Sequence, residues 1–189
     1  DLMATLPWVS LLGVAQAPRS PPLVRRHAER RLLAQLPTMT LGEKIALARR
    51  AHRALFRDLT ACGDLQVLLS LLNNPRLVEN DILVIVNTRA APPEFLNELA
   101  RHHRWGRYRA IRRAIVESPS TPLPLALSLL VELPPGELRQ LLDRPALADG
   151  VRAAARALLA REALGLRRVL HSGGESGDGG ASKSPEDIW

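Results

Sequence analysis

The chain has 189 residues, a formal net charge of +7, 46% hydrophobic residues and only 3% aromatics. That is enough apolar material for one domain with a core, and an apolar share made of Leu, Ala and Val predicts helix packing rather than a sandwich or barrel built on aromatic pairs. One cysteine, Cys62, excludes an internal disulfide framework or a cysteine metal cage within one chain, and such sparse usage fits a reducing compartment, the cytoplasm.

The charge is unevenly spread. Four carboxylates (Glu175, Asp178, Glu186 and Asp187) against Lys183 give residues 171–189 a net of −3, which leaves +10 on residues 1–170. Arginine supplies 24 of the 26 positive charges. Such a surface can fork bidentately onto anions, although a GC-rich genome would produce the same composition.

In chain order, "LMATLPWVSLLGVAQA" at 2–17 comes first, apolar and ending in small residues like a secretory leader. No basic stretch precedes it, and it is too short and proline-broken to span a bilayer. A retained helix is expected. Amphipathic runs follow at 21–36, 41–61, 64–73, 79–86, 93–103, 107–117, 122–132, 135–142 and 149–169, separated by prolines acting as punctuation. Ser20-Pro21 and Thr121-Pro122 read as N-cap and first helical residue, and "TLGE" at 40–43 as a capping box. "DILVIVN" at 81–87 is the weakest helix, being rich in β-branched residues, but a lone strand among helices would have no partner. Cys62 reads as a small buried residue at a helix end, with Gly63 as the C-cap.

The chain also resembles itself. Shifted by 127 residues, positions 6–33 lie without a gap on 133–160, with identities at 6/133, 7/134, 11/138, 18/145, 24/151, 25/152, 28/155 and 32/159. A shift of 44 residues lays 71–86 on 115–130 and matches Pro75 to Pro119. Self-similarity of this kind marks stacked helical repeats. It also makes the first segment a repeat helix rather than a leader.

Val24-Arg25-x-x-Ala28 and Val151-Arg152-x-x-Ala155, each after a proline and a short turn, resemble the second helix of a HEAT repeat. "NNPRLVENDIL" and "ESPSTPLPLAL" are similar to the Asn-Pro-type turns of bacterial leucine-rich-repeat variants. The resemblance implies an all-α, HEAT-like α-solenoid of about five stacked helix pairs over residues 1–170. Iron–sulfur members of the variant family need a cysteine group that one cysteine cannot supply, so no cofactor is expected.

The candidate site is "RHHRWGRYRAIRR" at 101–113. Ile111-Arg112-x-x-Ile115 has the repeat form, so Arg112 is expected to bond within or between repeats. Arg101, Arg104, Arg107 and Arg109 around Trp105 and Tyr108 remain. Basic groups interleaved with aromatics can neutralise phosphates and stack on bases; alternatively, the Trp packs inward with arginines lying over it. His102 and His103 would diverge by about 100° on a helix and could not chelate one metal. Glu79/Asp81 read as first-turn acids and Glu94/Glu98 as a solvated face. No nucleophile motif accompanies Cys62 or the serines.

Residues 171–189 read as a Gly/Ser linker carrying "SPEDIW", whose Ile188 and Trp189 form a candidate docking tail. These readings point to a non-enzymatic protein-binding or scaffolding module, with a protein partner or larger assembly and no membrane span. The alternative is a nucleic-acid-binding HEAT-like protein; a continuous basic groove would favour it over scattered arginines.

Overall fold

The computed structural model describes residues 6–88 and 91–165. Among these the chain is all-α, with no strand, and no helix is long and apolar enough to cross a membrane. The helices are α1 (Trp8–Gln16), α2 (Pro22–Gln35), α3 (Leu41–Arg50), α4 (Phe56–Ala61), α5 (Leu65–Leu72), α6 (Glu79–Asn87), α7 (Pro93–Arg101), α8 (Arg109–Glu117), α9 (Leu123–Leu130), α10 (Pro135–Leu142) and α11 (Asp149–Ala163).

Proline sets five of the eleven starts among the described residues. Pro21-Pro22, Pro92-Pro93 and Pro134-Pro135 supply N-cap and first helical residue for α2, α7 and α10, and Pro7 and Pro122 cap α1 and α9. The ring removes an N–H that the first turn leaves unbonded anyway. Two of the expected starts move by one residue. Ser20 closes the preceding turn through its N–H to the Ala17 carbonyl, and the Thr121 hydroxyl donates back to the Ile115 carbonyl of α8 instead of capping α9. Thr40 and Glu43 do form the reciprocal capping box, and the Glu43 carboxyl is held below its ordinary range, first by the Thr40 N–H and then by its hydroxyl.

The single run expected at 41–61 is broken. α3 stops at Arg50, Ala51 is extended, and a 3-10 turn at Arg53–Leu55 leads into α4. The reason lies elsewhere in the chain. Fully buried Asn74 donates its Nδ2 to the carbonyls of Ala48 and Ala51 at 2.7 and 2.9 Å. Gln16 and Arg76 both donate to the Arg50 carbonyl, so the acceptors that a helix end frees are taken by α1 and the α5–α6 turn. Residues 79–87 are helical, as expected, with Asp81 accepting from the Val78 N–H at the α6 start. Gly63 has φ +66°, consistent with an α4 C-terminal cap, but Cys62 is exposed rather than buried.

The aligned prolines share one geometry. Pro18, Pro75, Pro119 and Pro145 each sit second in a four-residue turn closed by an N–H to carbonyl bond from the fourth residue to the first: Ser20 to Ala17, Leu77 to Asn74, Thr121 to Ser118, and Leu147 to Arg144, at 3.1, 3.1, 3.2 and 3.4 Å. These turns join α1 to α2, α5 to α6, α8 to α9 and α10 to α11. Ala28, Val151 and Ala155 are buried, and Val24, their counterpart in the 127-residue match, is half-buried. Strong packing joins helices close in sequence: α1 with α2, α3 with α5, α5 with α7, α6 with α8, α8 with α9, α9 with α11 and α10 with α11.

Candidate binding surfaces

The arginine cluster begins where α7 ends. His102 and His103 fall in the turn after the helix and stack ring on ring, 4.5 Å between centroids, instead of diverging on a helix. His102 Nδ1 accepts from the N–H groups of Arg104 and Trp105, which folds the turn back on itself. Its pKa is lowered, chiefly by burial and then by the neighbouring charges of His103 and Arg104. Gly106 follows, where an added Cβ would fall well inside contact distance of the Ala100 carbonyl oxygen, so any side chain would clash with backbone.

Trp105, for which the sequence left open a stacking platform or an inward-packed ring, is 1% exposed and donates its indole N–H to the Leu72 carbonyl at 2.9 Å. Arg104 lies over the ring at 4.1 Å and donates to the Leu77 carbonyl. The inward-packed arrangement is therefore the one adopted: the ring is not presented to a base, because it closes the end of α5. Tyr108 sits beside it, tilted, with centroids 5.7 Å apart.

The remaining arginines are largely engaged with their own chain. Arg107 forks onto the His103 carbonyl. Arg112 bonds the Gly106 carbonyl and pairs with Glu132, Arg113 bonds Glu117 and Gln140, and Arg109 faces Glu137 at 3.6 Å. Those contacts tie α8 to α10 and to the segment after α9. Arg152 likewise donates to the Leu142 and Arg144 carbonyls at the end of α10, so Arg112 and Arg152, which share the local form Ile/Val-Arg-x-x, each brace a preceding carbonyl, whereas Arg25, aligned with Arg152 in the 127-residue match, braces none among the described residues. Arg101 is exposed on the rim of a cleft with Glu98 and His103.

A second basic region was not singled out from the sequence. Three clefts run together where α1 and α2 meet the end of α3. One of 440 Å³ is walled by Gln16, Arg49, Arg50 and Arg76. The next, of 480 Å³, shares Gln16 and Arg76 and adds Arg25, Arg26, Glu29 and His52. A third, of 450 Å³, shares Arg26 and Glu29 and adds Arg30. Among the described residues, the side chains of Arg25, Arg26, Arg30, Arg49 and Arg50 make no hydrogen bond or ion pair. His52 Nδ1 accepts from the Ala54 N–H, while its buried Nε2 faces Glu29 at 3.3 Å without hydrogen-bond alignment. The signal was present in "LVRRHAERR" and "ARRAHR", but only the fold brings the two stretches to one groove.

Between α4 and α6 lies an apolar groove of 480 Å³, floored by Phe56 and Ile85, with Arg53 paired to Asp81 at its rim at 2.8 Å. The linker and tail, with Ile188 and Trp189, lie outside the described residues. Compared with protein families, curated proteins and solved structures, the chain matches none.

Proposed function

We propose that the chain is a non-enzymatic protein-binding or scaffolding module, built as a HEAT-like solenoid of about five stacked helix pairs and acting within a larger assembly. The observation that carries this reading is the recurrence of one proline turn at Pro18, Pro75, Pro119 and Pro145, each joining two helices. Packing between near neighbours in sequence supports it, as do the matching carbonyl braces of Arg112 and Arg152. A stack of repeats offers an extended surface and places few residues for chemistry. An assembly partner would also find an exposed apolar residue on α1, Val9 at 51%.

Affinity capture with the full-length chain, followed by cross-linking and nuclease treatment, tests the reading. Nuclease-resistant, saturable protein partners are expected. Capture that nuclease abolishes, or no partner at all, would count against it.

A further inference from the structure

We propose that the three joined clefts along α1, α2 and the end of α3 form a docking groove for an acidic peptide that carries apolar side chains beside its carboxylates. The proposal deepens the binding-module reading and rests on it. Six arginines face one glutamate across the clefts, and five of those guanidiniums are unengaged among the described residues. The cluster at 104–113 is the contrast: there the arginines brace carbonyls and pair with Glu117, Glu132 and Glu137. Unengaged arginines with fork geometry are suited to carboxylates.

The lining chooses between anionic partners. No Phe, Tyr or Trp lines the clefts, and the one imidazole there, that of His52, is half-buried against Glu29, so successive bases would find no run of stacking platforms. Apolar groups are interleaved with the cations instead. Val9 and Leu12 line one end and Leu23, 74% exposed, the other, with Pro22 and Pro75 between them. That alternation matches a peptide whose carboxylates meet arginines while its apolar residues cover exposed Val9 and Leu23.

The test is fluorescence anisotropy of the full-length chain with a labelled peptide of alternating Glu and Leu, and with single-stranded and duplex DNA of equal charge. The variants are Arg25→Gln/Arg26→Gln on α2 and Arg49→Gln/Arg50→Gln on α3, whose side chains bond nothing in the fold, checked for unchanged helicity. Arg101→Gln/Arg107→Gln serves as the distant control. Each groove variant should weaken the peptide by about tenfold or more, as loss of charge-assisted pairs does, and the control should not. Equal affinity in groove variants and control, tighter binding of DNA than of peptide, or no peptide binding overturns the proposal. If the groove variants still capture the same partners as the unaltered chain, the groove assignment fails and the binding-module reading stands. If the unaltered chain captures none, that broader reading fails and the groove with it.

Discussion

The indole N–H of Trp105 donates to the Leu72 carbonyl at 2.9 Å, joining the turn after α7 to the last residue of α5. This bond makes the most conspicuous part of the arginine cluster a structural joint. Trp105→Phe keeps most of the ring but strands a buried carbonyl, at a cost of about 1–3 kcal/mol. Trp105→Ala should cost about 3–5 kcal/mol. Urea unfolding of both variants checks the order, and equal stability of the two would contradict the packing described.

Asn74 should be more sensitive than its size implies. Its amide serves Ala48 and Ala51, and its Oδ1 accepts from the Arg76 N–H, so one side chain holds the end of α3 and the α5–α6 turn together. Asn74→Ala leaves at least two buried backbone acceptors without that donor, and a loss of about 2 kcal/mol or more follows. Asn74→Asp should be no milder, because it presents acceptors to acceptors. A melting temperature unchanged in both would show that α3 ends for another reason.

Acidification should loosen the turn after α7. The His102 pKa is lowered in the folded chain, chiefly by burial, so the unfolded chain takes up its proton first. Stability from this group is therefore complete above the ordinary histidine value of about 6.5 and falls as pH drops below it. His102→Gln should remove that portion of the pH dependence while leaving the carboxylate portion at lower pH. Melting temperatures measured across the window in both proteins decide the point; identical profiles would contradict it.

The two ends of the 127-residue match can be compared directly. Ala28 and Ala155 are both fully buried. Ala28→Gln and Ala155→Gln should each destabilise by about 1–3 kcal/mol through overpacking and buried polarity. If one melts as the unaltered chain does, the two positions are not equivalent.

Helix content, the proline punctuation and the Thr40–Glu43 capping box were legible because they depend on residues within four positions of each other. The break between α3 and α4 was not, because nothing in 48–56 is a helix breaker and the cause, Asn74, lies in another turn. The same limit governs the surfaces. "RHHRWGRYRAIRR" announces itself by composition, yet its arginines are taken up by carbonyls and glutamates contributed from Leu77 to Glu137. Arg25, Arg26, Arg49 and Arg50 are scattered in sequence and line adjoining clefts only because Gln16 and Arg76 border both.

Stacked as repeats, the helices would each be supported by their neighbours. Hydrogen exchange of Ala155→Gln against the unaltered chain tests this stacking most directly. Loss of protection should be confined to α9, α10 and α11, while α1 to α5 keep their protection, because coupling in a stack decays with each interface. Uniform loss from α1 to α11 would mean one undivided core and would contradict the stacked-repeat account.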